Sequence, residues 1–358
     1  MRAELLDADS SRWTEVLAGI RHDFYHLPEY LRFAVRRQEA GEPLAFVAED
    51  EGNRLFVPLI VRSIPETAAA GGAPLLDVSG PRGYPGPLVA LDQTRELDDF
   101  VDRALQALTA ALRERGVVSA FLRLHPLLAP PLEPFRRAGT IVHHGDSISI
   151  DLTLPDEELW RQTDHGHRQG IRKATRLGYA ARVDDSWQRF DGFVAVYQET
   201  MRRLDARPFW HLTADYFRDL RETLGERIHL CVVEIGDELA AAGLLTELGG
   251  LVEFHLSGTA DAHLRASPSK VLIDHARTWA KARGNDCFHL TGSLRPGDPL
   301  SQFKAGFSPA RHPVWTWRLI VDPEEYRRLS SGWEAAHGVE ADAPDGFFPA
   351  YRSPGRST

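Results

Sequence analysis

Lys304 stands between two phenylalanines in the run Phe303-Lys304-Ala305-Gly306-Phe307. An ammonium held among apolar rings is partly desolvated and fixed, and such a charge can stabilise the oxyanion formed when an amine attacks an ester. Upstream, a strand-like stretch from 254 opens through Ser267-Pro268-Ser269-Lys270 into an amphipathic pattern over 269–283 that stops at Gly284. A strand leading into a helix N-terminus offers free backbone N–H groups and the positive end of the dipole to an anion. An anion-carried acyl group with a lysine beside it is the grammar of acyl transfer. The bland alternatives are ordinary N-capping by Ser267 or Ser269 and a lysine snorkelling past apolar neighbours.

A second constellation is basic. Between 161 and 182, Arg161, Arg168, Arg172, Lys173, Arg176 and Arg182 face the single acid Asp164. Arg168, Arg172 and Arg176 share one helix face, where like charges repel. Solvent, acidic neighbours or a bound polyanion must offset that repulsion, and arginine suits phosphate.

Other chemistries are poorly represented. Among 15 histidines none falls in a metal or nucleophile motif, and His165 and His167 would not share a helix face. His125, His211, His255 and His289 read as polar residues of strands or loops. No general base stands out. Cys231 and Cys287 lie in apolar contexts without metal spacing, as buried thiols of a reducing compartment do. The N-terminus lacks an apolar signal core, and no run approaches the about 20 apolar residues of a membrane span. A cytoplasmic location is therefore expected. A formal charge of −9 argues against a general nucleic-acid coat but allows a local basic patch.

These residues need a frame. At 358 residues two domains are expected. Helical patterns cover 13–20, 97–115, a single span 156–176, 187–203 and 213–224, with Thr213 as N-cap. Strands are expected at 44–48 and 55–61 around a turn at 50–53, then at 117–124, 140–154, 228–235, 239–248, 254–257, 287–290 and 315–320. The stretch 77–88 is too rich in Gly and Pro for a central strand and reads as a loop displaying Tyr84. The order of helices and strands in the second half recurs loosely in the first. The fold class is α/β (α+β), with domains at 1–150 and 151–330 and an irregular tail at 331–358. Phe347-Phe348-Pro349-Ala350-Tyr351 is able to dock back onto the body.

Several segments together carry a family resemblance. HRQGIRKATRLGYAARV at 167–183, GTADAHLRASPSKVLIDHA at 258–276, the TGS at 291–293 and DPLSQFKAGFS at 298–308 are similar, in order and spacing, to the Fem family (FemABX). FLRLHPLL at 121–128 and GYPGPL at 83–88 resemble its first domain. The resemblance implies tandem GNAT-like domains, each a mixed, largely antiparallel sheet flanked by helices. It also implies transfer of an amino acid from aminoacyl-tRNA to an amine, either a peptidoglycan precursor or a natural-product intermediate, with no resident cofactor. By matching position, Lys304 is the catalytic lysine. Arg168, Arg172, Lys173, Arg176, Ser267, Ser269 and Lys270 face tRNA. Arg203, His211, Tyr216, His255, Phe303 and Phe307 line the acceptor cleft. The alternative is an acyl-CoA-dependent N-acyltransferase, although Leu264-Arg265-Ala266-Ser267-Pro268-Ser269 stands where such enzymes carry an Arg/Gln-x-x-Gly-x-Gly/Ala loop. The amino acid, the tRNA, the amine and the oligomeric state are left open by the sequence.

Overall fold

The structure is a computed structural model that describes residues 1–65, 74–92, 97–292, 298–337 and 346–354. It divides into two compact units, one of residues 1–144 and 314–358, the other of 145–313. Most of the last strand, 314–320, and the helix after it fall in the first unit.

The first unit starts with β1 (Arg2–Asp7), α1 (Ser11–Leu17) and α2 (Pro28–Arg37). The hairpin of β2 (Glu42–Asp50) and β3 (Asn53–Ser63) turns through Glu51 and Gly52, both at positive φ, as a two-residue loop between twisted strands requires. β4 (Leu76–Ser79), β5 (Leu88–Ala90), α3 (Leu97–Glu114), β6 (Val117–Arg123) and α4 (Leu132–Ala138) follow. α3 buries Val101, Ala104, Leu105, Leu108 and Leu112, a stripe of helical period, against Phe46, Val57, Ala120 and Leu122 of the sheet.

The Gly/Pro-rich stretch is not all loop. Its first residues form β4, parallel to β6, and Asp77 is fully buried, with Arg62 at 2.9 Å and Arg352 on its carboxylate. Gly and Pro exclude a strand only after Ser79. Tyr84 is buried rather than displayed, its ring 6.1 Å from Tyr25 and from His125.

The second unit begins within β7 (Thr140–Asp151). The single helix expected over 156–176 is two, α5 (Asp156–Gln162) and α6 (His165–Arg176). Thr163 is extended, and the Asp164 carboxylate caps α6 by accepting from the His167 N–H at 2.6 Å. Then come β8 (Ala180–Val183), α7 (Phe190–Arg203), α8 (Ala214–Leu224), β9 (Ile228–Ile235), β10 (Glu238–Leu248), β11 (Leu251–Thr259), α9 (Pro268–Ala282), β12 (Cys287–Gly292) and α10 (Pro299–Ala305). Thr213 caps α8 as expected. The strand order is β7-β12-β11-β10-β9-β8, antiparallel except for β11 with β12. α6 and α9 cover one face through Ile171, Ala174, Leu272, Ile273 and Ala276, packed against Val252, Phe288 and Leu290. α7 lies so close to β11 that a Cβ on Gly258 would sit 2.5 Å from the Val196 backbone.

β13 (Arg311–Ile320) pairs with β6, and α11 (Pro323–His337) follows it. The aromatic patch docks on the first unit: Phe348 stacks on Tyr326, and the Tyr351 hydroxyl lies 2.8 Å from Ser119 Oγ. Tail residues 338–345, like Ser293 of the TGS, lie outside the described residues. Among the described residues no helix is long and apolar enough to cross a membrane.

Candidate active site

The site is built on one sheet face of the second unit. Ser149, His289, Glu253 and Thr246 stand opposite one another across β7, β12, β11 and β10, so their side chains share a face. All are buried, a polar row crossing the sheet. Two bulges flank the row. On β11, Phe254 opposes Leu245 while Leu256 opposes Leu244, which leaves His255 as the extra residue. On β12, His289 opposes Ser149 while Thr291 opposes Ile148, which leaves Leu290 extra. Bulges bend a strand and re-aim side chains. Among the described residues the β11–β12 ladder runs only from Leu251↔Cys287 to Glu253↔His289, so the polar row lies where the two strands part.

Glu253, 1% exposed, is held between two imidazoles: His255 Nδ1 at 3.3 Å from Oε1 and His289 Nδ1 at 3.2 Å from Oε2. Burial by itself would raise this carboxyl, but hydrogen bonds from His255 and His289 outweigh it and hold the group ionised, below the usual carboxylate range. An ionised carboxylate only accepts, so each ring donates its Nδ1–H to it, and Nε2 is then the basic nitrogen of His255.

Lys304 lies in the last turn of α10, not on a loop, and is 6% exposed. Its Nζ donates to Thr291 Oγ1 at 2.7 Å. Burial lowers its pKa to about 8, against the opposing pull of Glu253 and Asp298. Thr291 holds φ +62. For a β-branched residue that left-handed conformation is strained, of the kind that clusters at functional sites.

Phe303 and Phe307 flank Lys304 in sequence but clasp another residue. Their rings lie 5.2 and 4.6 Å from that of His167, whose Nε2–H donates to the Phe303 carbonyl at 2.9 Å. Phe307 belongs to the core. Gly306 is needed there, because a Cβ would stand 2.5 Å from Asp164 Oδ2 and 2.7 Å from the His167 ring. The motif thus locks α10 onto the start of α6, and through it positions Lys304.

The remaining expected residues separate. Arg203 ties α7 to the end of β11 through Asp261, the Thr259 carbonyl and Thr200. His211 is exposed and bonds the Ala206 carbonyl, and Tyr216 is buried on α8 beside Phe217. Arg168 is not an open basic residue: its guanidinium donates to the carbonyls of Trp160, Arg161 and Thr163, closing the C-terminus of α5. Arg172, Lys173 and Arg176 are exposed, Arg172 over the Trp160 ring, and Lys270 lies against Gly170.

The N-terminus of α9 is less open than the sequence suggests. Ser267 adopts a left-handed conformation and makes no side-chain cap. Its N–H goes to the Leu264 carbonyl, Pro268 has none, and the Lys270 N–H returns to the Ser267 carbonyl. Few first-turn donors are left for a phosphate.

Residues 161–304 match the family model of a GNAT acetyltransferase domain. The second unit carries a GNAT domain. Over most of its length the chain also aligns with solved structures. FemX aligns over 90% of this chain and 96% of its own, at a TM-score of 0.63 and 11% identity. The C-terminal domain of a putative lysylphosphatidylglycerol synthetase from Agrobacterium fabrum aligns over 93% and 97%, at 0.54 and 16%. The L-PGS of Bacillus licheniformis aligns over 87% and 92%, at 0.53 and 13%. At these identities the likeness is one of fold, and it agrees with the resemblance read from the sequence. No curated protein matches the chain.

Glu253 and Thr291, and the use of His255 and His289 as partners of one carboxylate, escaped the sequence reading. The available signal was a Glu and a His two residues apart in an apolar strand. Among the described residues, no group of three or more His, Cys, Asp or Glu is placed to hold a metal ion.

Proposed function

We propose that this GNAT domain transfers an aminoacyl group from aminoacyl-tRNA to an amine, with Lys304 and the Glu253–His255 pair as its chemical centre. The observation that carries the reading is the buried Lys304 ammonium, bonded to Thr291 and within the field of Glu253. An aminoacyl ester is already activated, so the enzyme must align amine and carbonyl, exclude water and stabilise charge. The amine nitrogen attacks the ester carbonyl, and the oxygen that becomes negative is met by the Lys304 ammonium. His255 Nε2 takes the proton from nitrogen, with Glu253 steadying the imidazolium. The C–O bond to the ribose then breaks, and the proton passes to the ribose oxygen as it leaves. The products are an amide and free tRNA.

Two features favour tRNA over acyl-CoA as donor. The first turn of α9 has most of its N–H groups spent or missing. Arg172, Lys173 and Arg176 form an exposed basic face on α6. Arg172→Ala is expected to reduce the log–log salt slope of tRNA binding by about 0.7–0.9. Arg168→Ala is expected to leave that slope unchanged and to lower the melting temperature, because it uncaps α5. Filter binding across a salt series with thermal melts checks both.

The direct test is label transfer from charged tRNA pools, one labelled amino acid at a time, into cell extract. RNase-sensitive incorporation is expected. Incorporation from labelled acyl-CoA that survives RNase would replace this reading with the N-acyltransferase one.

A further inference from the structure

Where α6 and α7 finish, the second unit is apolar and basic at once. Among the described residues eight large apolar side chains are exposed, and four of them are Leu177, Leu204, Phe209 and Leu264, at 55, 64, 50 and 40%. One exposed leucine needs no explanation, but a group held in one place does.

A chain of contacts gathers these four. Leu177 directly follows α6, and the nearby Tyr179 hydroxyl lies 3.0 Å from His263 Nδ1. His263 belongs to the short 3-10 helix Asp261–Ala266, which also carries Leu264. That helix is tied to the end of α7: Arg203 pairs with Asp261, and the Asp261 N–H donates to Glu199 Oε1 at 2.8 Å. Leu204 directly follows α7, on the line of the buried Tyr197 and Thr200. Thr200 already bonds Thr259, the last residue of β11, so Leu204 passes the edge of the sheet and stays uncovered. The loop beyond is fixed as well. The Ala206 N–H returns to the Met201 carbonyl at 3.0 Å, and His211 Nε2–H donates to the Ala206 carbonyl at 2.9 Å. The Trp210 carbonyl accepts from the Tyr197 hydroxyl at 2.8 Å. Phe209 is thereby held at the same end of α7 as Leu204.

The charge at this end opposes that of the chain, which is −9. Arg202, Arg207 and Arg265 are exposed, and among the described residues their guanidinium groups make no hydrogen bond or ion pair. Two neighbouring carboxylates are engaged, Asp261 by Arg203 and Glu238 by His263 Nε2 at 3.2 Å, and Asp205 is the one acid of the loop 204–213. RNA would use the arginines but has no counterpart for three leucines, and the Phe209 ring lies 4.8 Å from Trp210 rather than open to a base. A second copy meeting this end about a two-fold axis would set arginines against arginines. An anionic bilayer satisfies both parts, phosphates pairing with guanidinium groups while apolar side chains enter beneath them.

We propose that this end of the second unit docks on an anionic lipid bilayer, with Leu204 and Phe209 entering the acyl boundary and Arg202, Arg207 and Arg265 on headgroup phosphates. The contact is peripheral and does not depend on the identity of the acyl donor.

Co-sedimentation of the full chain with lipid vesicles tests it. Binding is expected to vesicles of phosphatidylcholine mixed with phosphatidylglycerol and not to phosphatidylcholine alone, because so small an apolar wedge needs the electrostatic attraction to hold. Leu204→Ser combined with Phe209→Ser is expected to weaken binding about tenfold. Arg202→Gln combined with Arg207→Gln is expected to weaken it by a similar factor. All four side chains are exposed, so melting temperatures measured alongside are expected to stay at the wild-type value. No binding to the mixed vesicles overturns the proposal. So does binding that the serine substitutions leave unchanged; if they instead weaken tRNA retention or split a dimer, this end belongs to RNA or to a second copy.

Discussion

Lys304→Met is expected to make the protein more stable at pH 7 and much less active. The folded pKa of Lys304 is about 8 against an ordinary 10.5. Below pH 8 the folded and unfolded chains both hold the proton, and the folded chain bears the cost of a buried charge. Between about 8 and 10.5 the folded chain releases the proton while the unfolded chain keeps it, so wild-type stability rises with pH across that window. Methionine removes the cost. Its advantage is therefore largest below pH 8, roughly 2 kcal/mol after loss of the Thr291 hydrogen bond is set against it, and fades toward pH 10.5. Denaturant titrations at pH 7 and 10.5 read this directly. Turnover is expected to fall about 10²–10³-fold, as for loss of an oxyanion donor, with little change in tRNA affinity. A lysine kept only for packing would give the pH-dependent gain without the activity loss.

Glu253→Gln is the second large effect. The amide can accept from one imidazole but turns its NH2 toward the other, so one ring must change tautomer or lose its bond. Turnover is expected to drop about 10²-fold, the scale of general-base catalysis. A further consequence concerns pH. Glu253 is one of the two carboxylates that raise the pKa of Lys304. Without its charge Lys304 loses its proton at lower pH, and the alkaline fall in rate, near pH 8 in the wild type, moves toward neutrality. A carboxylate that merely braced the two strands would change stability and leave the maximal rate in place. Rate profiles from pH 6 to 9.5 for the two proteins, with stability measured alongside, separate these roles.

Much of the frame was legible because periodic burial and local caps decide it. Thr213 at α8, the turn through Glu51 and Gly52 between β2 and β3 and the stripe on α3 are local signals, and each forms as its residues imply. The failures have local and long-range causes. Thr163 and Asp164 split one basic helix into two, and that break turned Arg168 from a surface charge into a C-terminal cap of α5. The helix of Lys304 was hidden by its short length and its Gly/Pro surroundings. Glu253 could not be recognised because a lone Glu in a strand reads as solvent-facing. Its burial arises from pairing with β12, which is distant in sequence, and from bulges at His255 and Leu290 that no local propensity announces. The phenylalanines around Lys304 marked the right segment for another reason, since they clasp His167.

The most direct measurement is single-turnover transfer of a labelled amino acid from its tRNA to an acceptor amine, by wild type and Lys304→Met side by side at pH 7. The account predicts RNase-sensitive product from the wild type, product about 10²–10³-fold slower from a well-folded variant, and equal retention of charged tRNA by both. Transfer by the variant at the wild-type rate, or product formed only from acyl-CoA, would contradict it.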